Sequence, residues 1–432
     1  MPANTARFAT KAVHAGRERT AARSRATPIY LTAGFEFDDF DQAADHFGTG
    51  SGYGYTRSGN PTVRAVEHQL AALESGADAV LLGSGQAAVA TALLTVAGGG
   101  DHIVCSTHIY EGTRGLLLDS LARLGVETTF VDDIADPDAW RAAITPRTTA
   151  FFAESIANAR NDILDVRAVS DVAAEIGAPL VVDSTLATPF LLRPLEHGAA
   201  IVVHSASKFL AGQGSVLGGV IVDDGRFDAA RSGHLAPHLV LPGRNGAPSF
   251  AERHGGLARI AYARETIAPR FGATPSPLNA FLIGQGAETL GLRVERQSQN
   301  ALAVARWLNA HDAVESVDYA GLESHPHHAL AEQYLQGGYG SIFTFTLRGG
   351  LAAARRFVEA VQVFTHMTHI GDVRSLVLHP GTTSHSQRTD DERAALGVAE
   401  GTLRLSIGIE DVADLLEDLE RTLAVADVRA EA

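Results

Sequence analysis

Lys208 is the residue whose type and surroundings point most directly to chemistry. The 35 basic residues of the chain include only two lysines, Lys11 and Lys208, and all the others are arginines. Lys11 lies near the N-terminus, whereas Lys208 follows an apolar run and stands among small residues. Burial lowers the pKa of an ammonium group, and a lysine with a lowered pKa is a nucleophilic amine suited to Schiff-base chemistry. The sequence therefore predicts a reactive amine at Lys208.

An acidic residue is predicted to lie close to this amine. Asp183 closes the apolar run Pro179–Asp183, and the next run, Ala200–His204, leads into Lys208. Ligands of open α/β sheets bind beyond the carboxyl ends of the strands. Because both residues follow predicted strands, we expect the carboxylate and the amine to face one site.

A third feature, the segment Gly83–Ala88, is typical of a phosphate-binding helix start. The N–H groups at the start of a helix bind phosphate, and glycine permits a close approach. The same letters match G-x-G-x-x-A, a dinucleotide fingerprint, which requires an acidic residue at the end of the next strand. That strand is predicted to end at Cys105 and Ser106, and neither residue is acidic. A nucleotide-dependent oxidoreductase is therefore the weaker alternative.

Together these features predict a site for pyridoxal 5′-phosphate (PLP). A lysine forms the covalent link to PLP, an acid pairs with the pyridine N–H, and a helix start binds the phosphate. Lys208 and Asp183 supply the first two groups. Gly85 with Ser205 and Ser207 would supply the third.

The elements that must position these residues are predicted to be those of an α/β domain. Seven short apolar runs alternate with amphipathic segments at 62–75, 111–124 and 166–177, a pattern typical of a mostly parallel sheet covered on both faces. We expect an N-terminal arm over residues 1–62, a large domain over 63–271 and a smaller α+β C-terminal domain over 272–432. The predicted strands are Ala79–Leu82, His102–Ser106, Thr128–Val131, Ala150–Ala153, Pro179–Asp183, Ala200–His204 and Gly218–Val222.

Composition excludes several classes of protein. The net charge of −15 argues against a binder of nucleic acid or anionic membranes. Cys105 is the only cysteine, no apolar secretory segment starts the chain, and no run approaches about 20 apolar residues. A cytoplasmic enzyme is expected. His325, His327 and His328 cluster, as do His366 and His369, but neither group has an HExxH frame or a nearby cysteine, so no metal site is predicted.

A set of short motifs is spread over nearly the whole chain: Tyr55–Arg57 with Asn60–Thr62, Ser84–Gln86, Tyr110, Glu154 with Asn158, Asp183, Ser205–Lys208, Ser375–Leu376 with His379–Pro380, Arg404–Ser406 and Gly408–Glu410. In these motifs the chain resembles the Cys/Met-metabolism family of PLP-dependent enzymes, and within it the O-acetylhomoserine sulfhydrylase branch. This resemblance implies the PLP-dependent transferase fold, aspartate aminotransferase-like and of fold type I, with a seven-stranded sheet in the large domain.

The resemblance also implies roles for individual residues. Lys208 would be the Schiff-base lysine, Asp183 the pyridinium partner, and Tyr110 a ring-stacking residue that assists proton transfer. Arg404, with the backbone of Ser375, would bind the substrate carboxylate. A dimer, usually paired into a tetramer, is implied because two of the residues would reach the site of a neighbouring subunit. The remaining expected contacts are Asn158 to the ring hydroxyl, Gly85, Gln86, Ser205 and Ser207 to the phosphate, and Tyr55 and Arg57 from that neighbouring subunit.

The implied reaction is γ-replacement on an O-acyl-L-homoserine, with sulfide or a thiol as nucleophile. Five positions depart from the sulfhydrylase pattern. Glu111 and Ala159 stand where glycine and proline are usual, Ser184 and Leu186 replace Asn and Phe, and Gln213 replaces His. An unusual carbon or nitrogen nucleophile is therefore one alternative, and a γ-lyase reaction of the cystathionine or methionine type is another.

Overall fold

Seven strands form the larger of two sheets in the computed structural model, which describes residues 6–17, 23–158 and 160–426. Their order across the sheet is β1-β7-β6-β5-β4-β2-β3. The strands are β1 (Asp78–Leu82), β2 (His102–Ser106), β3 (Glu127–Val131), β4 (Thr148–Glu154), β5 (Leu180–Asp183), β6 (Ile201–His204) and β7 (Gly219–Asp223).

Only β7 runs antiparallel to its neighbours in this sheet, which confirms the predicted mostly parallel arrangement. Successive residues of a strand point to opposite faces. In β4, Phe151 belongs to one buried cluster and Phe152 to another. Both faces are thus covered, which explains why most of the strands are apolar. The exception is β3, which lies at the end of the sheet and is partly exposed.

Five strands form the smaller sheet, in the order β10-β11-β12-β9-β8. Its pairs are antiparallel except for β10 with β11. Phe343, Phe345 and Phe357 lie in its buried core. The predicted smaller α+β unit is therefore confirmed. The strands are β8 (Val314–Asp318), β9 (Ile342–Leu347), β10 (Thr365–His366), β11 (Leu376–Leu378) and β12 (Thr402–Ser406).

Helices cover both sheets, and among the described residues no helix is both long and apolar enough to cross a membrane. The α-helices are α1 (Phe8–His14), α2 (Phe40–Thr49), α3 (Pro61–Leu73), α4 (Gly85–Val96), α5 (Glu111–Gly115), α6 (Pro137–Ala142), α7 (Val166–Glu175), α8 (Thr188–Leu191), α9 (Ala229–Ser232), α10 (Pro237–Val240), α11 (Phe250–His254), α12 (Ala258–Tyr262), α13 (Ala268–Phe271), α14 (Pro277–Glu288), α15 (Leu290–Asn309), α16 (His328–Tyr334), α17 (Gly350–Ala360), α18 (Asp390–Ala395) and α19 (Val412–Ala426). The π-helical turns are Leu116–Leu121 and Ala263–Ile267, and the 3₁₀ turns are Pro194–His197, Arg244–Gly246, Gly255–Leu257 and Pro380–Thr382.

Two regions differ from the expected elements. The first 62 residues, expected to be extended, contain α1 and α2; α2 begins at the N-cap Asp39, whose side chain accepts a hydrogen bond from the N–H of Gln42. The helix expected over 111–124 is α5 followed by a π-helical turn. Such turns carry no distinct hydrophobic period, so the sequence pattern did not separate them.

Candidate active site

Three adjacent parallel strands bring the predicted site residues to one edge of the larger sheet. Strand β4 ends at Glu154 and β5 ends at Asp183, and these two residues are paired in the register. Strand β6 lies on the other side of β5 and ends at His204. Lys208 follows four residues later, after a tight turn in which its N–H bonds to the carbonyl of Ser205. The sheet topology therefore places the amine and the carboxylates at the same edge.

The amine of Lys208 lies in a partly buried, positively charged setting. Burial, and then the charge of the nearby guanidinium of Arg404, lower its pKa from 10.5 to about 8. Its Nζ lies 3.1 Å from Nδ1 of His369. An amine with this pKa exchanges protons readily near neutral pH, which is what a proton-transferring base requires.

Arg404 reaches this edge from the smaller sheet. It lies in β12 and is almost fully buried. Its Nη1 donates a hydrogen bond of 3.2 Å to Oδ1 of Asn158, in the loop after β4. Burial lowers its pKa to about 10, while Tyr110 acts in the opposite direction. The structure thus brings Lys208, Asn158, Tyr110 and Arg404 together from both sheets.

Asp183 is held by the residue two positions after it. Its Oδ1 accepts hydrogen bonds from the N–H of Thr185 at 3.0 Å and from the hydroxyl at 2.5 Å. Burial raises its pKa, and these two hydrogen bonds act in the opposite direction. Because burial outweighs these hydrogen bonds, the carboxylate would be stabilised by a cation such as a pyridinium N–H.

Glu154 has a positioning role that the sequence motifs did not assign. Its carboxylate accepts the N–H of Tyr110 at 2.6 Å and the N–H of Asn158 at 3.2 Å. It therefore connects the backbone of two residues expected to contact the PLP ring. Burial, and then the charge of Asp183, raise its pKa to about 8.

This raised pKa predicts a pH-dependent stability of the apoprotein. Folded Glu154 keeps its proton up to about pH 8, whereas the unfolded chain releases it near pH 4.5. The folded state therefore binds more protons in this window, and the free energy of unfolding should fall as the pH rises through it. Glu154→Gln should flatten the decrease by about 5 kcal/mol. Denaturant unfolding at several pH values measures this. Glu315→Gln, at an exposed position of β8, is the control, and an equally steep decrease in Glu154→Gln would contradict the prediction.

The start of α4 has the features of a phosphate cradle. The hydroxyl of Ser84 caps the helix by accepting the N–H of Ala87 at 3.1 Å. The first N–H groups of a helix have no acceptor within it, so those of Gly85 and Gln86 can bind an anion. A Cβ at Gly85 would lie 2.6 Å from the side chain of Ser205, so only glycine fits there. The side chain of Gln86 is turned aside and donates to the carbonyl of Gly112.

Two expected contacts are occupied by other partners in this structure. The hydroxyl of Ser207 donates to the carbonyl of Gly218 and accepts its N–H. The N–H of Ser375 donates to Oε1 of Glu410 at 2.6 Å, and its hydroxyl donates to Oε2. Phosphate binding by Ser207 and carboxylate binding by Ser375 therefore stay predictions, and each would require these bonds to be exchanged.

Tyr55 and Arg57 lie together, but they have no described contact with Lys208 of the same chain. The guanidinium of Arg57 lies 5.4 Å from the ring centre of Tyr55 and donates to the carbonyl of Pro269. Half of Tyr55 is exposed. Their expected function in a neighbouring subunit stays a prediction.

The positions that depart from the sulfhydrylase pattern have varied surroundings. Glu111 forms an ion pair of 2.6 Å with the buried guanidinium of Arg388. Ser184 is buried, and its hydroxyl lies 3.0 Å from that of Ser155. The carbonyl of Gln213 accepts a hydrogen bond from Arg374, Leu186 is buried, and Ala159 lies outside the described residues.

The clustered histidines have separate partners. His325 pairs with Asp318 at 2.7 Å, His327 contacts Asp162 at 3.3 Å, and His328 contacts the carbonyl of Ala320 at 2.8 Å. His369 contacts Lys208 instead. The sequence offers no signal for this contact, because His369 and Lys208 are 161 residues apart and no motif connects them.

Comparisons with known proteins also indicate a PLP-dependent enzyme. The family described as Cys/Met metabolism PLP-dependent enzyme matches residues 9–424. The O-acetyl-L-homoserine sulfhydrylase of Corynebacterium glutamicum is 43% identical over 427 residues, which cover 96% of each chain. The homocysteine synthase of Schizosaccharomyces pombe is 41% identical over 431 residues, which cover 99% of this chain and 100% of that protein.

A solved structure extends this similarity to the fold. The crystal structure of a Campylobacter jejuni protein, provisionally assigned as an O-acetylhomoserine (thiol)-lyase, has a TM-score of 0.92 and 33% identity. The match covers 97% of this chain and 100% of that one. That structure contains N′-pyridoxyl-lysine-5′-monophosphate, a lysine linked to the cofactor.

Proposed function

The chain belongs to the Cys/Met metabolism family of PLP-dependent enzymes, and from this premise we propose that it catalyses γ-replacement on O-acetyl-L-homoserine. Sulfide or a thiol is the nucleophile, and homocysteine or a related amino acid is the product. The names of its relatives, O-acetyl-L-homoserine sulfhydrylase and homocysteine synthase, support this substrate and product.

The observation that carries the proposal is the pairing of a fixed cation with a titratable amine. Arg404 is buried, donates to the amide oxygen of Asn158, and influences the pKa of Lys208. A guanidinium has five N–H donors in a planar arrangement that matches a carboxylate. Arg404 thus supplies the site for the α-carboxylate of an amino acid, and Lys208 supplies the group that moves its protons.

The side chains of this site have separate functions: some hold the cofactor and neighbouring residues in place, and one transfers protons. PLP, when bound, supplies an electron sink that stabilises negative charge on the substrate carbons. Asp183 accepts the pyridine N–H, and Glu154 holds the backbone of Tyr110 and Asn158. The amine of Lys208 removes protons at the substrate α- and β-carbons and returns them after the nucleophile has added. Arginine cannot perform this task, because its guanidinium stays protonated in proteins.

Product analysis tests the proposal directly. The purified holoenzyme is incubated with O-acetyl-L-homoserine and sulfide, and the products are identified by mass spectrometry. Rapid formation of homocysteine and acetate is expected. A second reaction with O-succinyl-L-homoserine identifies the preferred acyl group. If 2-oxobutanoate and ammonia form at the same rate without a nucleophile, the enzyme is a γ-lyase and the proposal is wrong. A product that forms only with an added nitrogen or carbon nucleophile would identify the alternative replacement reaction.

The active site is proposed to be shared between two subunits. We assign residues 1–62 to an arm that contacts the neighbouring subunit, 63–271 to the large domain and 272–432 to the small domain. Large apolar side chains of the arm are exposed in the single chain: Phe40 by 86%, Phe47 by 84% and Leu31 by 73%. Such a group of exposed apolar side chains is typical of an interface. A dimer, paired into a tetramer, would cover it and bring Tyr55 and Arg57 to the neighbouring phosphate site.

Mixing two inactive variants tests this sharing. Arg57→Ala should lose most activity through weaker phosphate binding, and Lys208→Arg should be inactive. In a mixed dimer one site combines the native Lys208 of one subunit with the native Arg57 of the other. Co-expression should therefore restore about a quarter of the wild-type activity. A mixture that stays as inactive as its two components would place Arg57 and Lys208 in the same chain's site.

A further inference from the structure

His369 has a contact that no described structural role explains. It lies in the loop between β10 and β11, and its Nδ1 is 3.1 Å from Nζ of Lys208. Its other ring nitrogen, Nε2, is buried and has no hydrogen-bond partner among the described residues. Burying a ring nitrogen without a partner costs free energy. Among the described residues, Lys208 is therefore the polar partner that explains how this ring is oriented.

The loop that carries His369 is held in place on both sides. The N–H of Gly371 donates to the hydroxyl of Ser406 at 2.9 Å. Gly371 has a φ of +71°, and a Cβ there would lie 2.7 Å from the ring of Phe209, the residue after Lys208. Gln297 donates to the carbonyl of Asp372 at 2.8 Å. The imidazole is therefore presented to Lys208 by a packed backbone.

The chemistry of the two groups sets the direction of the hydrogen bond. An ammonium group has donors only, so Nδ1 of His369 must be the acceptor when Lys208 is charged. Burial lowers the pKa of His369 to about 4; Lys208, Arg404 and Arg374 act in the same direction, and Asp372 acts against them. The imidazole is therefore neutral at pH 7 and can accept the bond.

We propose that His369 is a positioning residue for Lys208: its Nδ1 holds the free amine and stabilises the charged form by one hydrogen bond. This inference rests on the proposed role of Lys208 as the group that moves protons. The bond acts whenever the amine is free, that is, after the substrate has taken its place on the cofactor. One N–H of the ammonium is then directed to the imidazole, which fixes the directions of the other two.

The unusual lysine content of the chain allows a direct test. Because Lys11 and Lys208 are the only lysines, acetic anhydride labelling of the apoprotein can be followed at both by mass spectrometry. The pH dependence of labelling reports the pKa of each amine. Removing the acceptor with His369→Leu should lower the pKa of Lys208 by about one unit. His369→Asn, whose Oδ1 can accept the same bond, should restore most of the difference. Lys11 should not change in either variant.

A second measurement follows proton transfer in the holoenzyme and does not depend on γ-replacement. Exchange of the α-proton of an amino acid in D₂O needs Lys208 but no leaving group or nucleophile. His369→Leu should slow this exchange by about 10- to 100-fold and move its acidic limb to lower pH. His366→Leu, at an exposed position three residues earlier, is the matched control and should leave both unchanged. The visible absorption of bound PLP checks that each variant is loaded.

The outcomes separate the two proposals. If the wild type exchanges α-protons but forms no homocysteine, the proposed γ-replacement fails and the test of His369 stands. If Lys208 keeps its wild-type labelling profile and exchange rate in His369→Leu, the positioning role is overturned. Slow exchange with an unchanged pKa and no rescue by Asn would assign His369 to packing alone and would also overturn it.

Discussion

Lys208→Arg should abolish both turnover and the visible absorption of the bound cofactor. The reason is that the reaction needs an amine that can lose and regain a proton, and the pKa of Lys208 is lowered to about 8 for that purpose. A guanidinium at the same position stays protonated and cannot form the covalent link. We expect the rate of homocysteine formation to fall by at least about 10³-fold.

The matched control for this substitution is Lys11→Arg. It makes the same chemical change at the only other lysine, in α1, far from the site in sequence. In steady-state assays and absorption spectra, Lys11→Arg should match the wild type, whereas Lys208→Arg should lose both turnover and the visible absorption. A Lys208→Arg enzyme with normal turnover would require a different residue to move the protons.

Asp183→Asn should lower kcat by about 10²- to 10³-fold while the protein stays folded. The amide can still accept the pyridine N–H, but it carries no negative charge to hold that proton in place. Stability should not suffer, because burial already raises the pKa of Asp183 and so favours a neutral group in the apoprotein. Steady-state kinetics and thermal unfolding of the apoprotein together test this expectation.

Thr185→Val provides the graded comparison for Asp183→Asn. It keeps the carboxylate but removes the hydroxyl that donates to it at 2.5 Å. A loss of about 10-fold is expected, since the substitution removes this hydrogen bond and the one that the hydroxyl accepts from the N–H of Ser205 at 2.8 Å. If Asp183→Asn retained nearly normal kcat, or if both substitutions had equal effects, the negative charge would not be the important property.

The elements of the larger sheet could be predicted closely from the sequence. Most of its strands are apolar on both faces, so they appear as short continuous runs bounded by polar residues, whereas β3 at the end of the sheet is partly exposed. The predicted run Pro179–Asp183 corresponds to β5, and Ala200–His204 corresponds to β6. Because ligands collect at the carboxyl ends of such strands, Asp183 and Lys208 could be placed at one edge before their contacts were seen.

The contacts made by long-range packing could not be predicted in this way. His369 is 161 residues from Lys208, and its loop carries no hydrophobic period that would fix its direction. The roles of Glu154 depend on the backbone N–H groups of Tyr110 and Asn158, a donor that every residue type except proline offers. The engagement of Ser375 with Glu410 likewise requires two segments to meet. The identities of the side chains alone do not indicate any of these contacts.

The fold class and the cofactor follow from the sequence alone, which also predicts a reactive amine at Lys208, because each depends on local features: apolar runs, a strand end, a helix start and one retained lysine. The contacts and the pKa values of those groups depend on the tertiary structure. Packing the smaller sheet against the larger one buries Arg404 beside Asn158 and places His369 against Lys208. The lowered pKa of the amine and the raised pKa of Glu154 follow from burial and from the charges of Arg404 and Asp183, which approach these groups only in the folded chain.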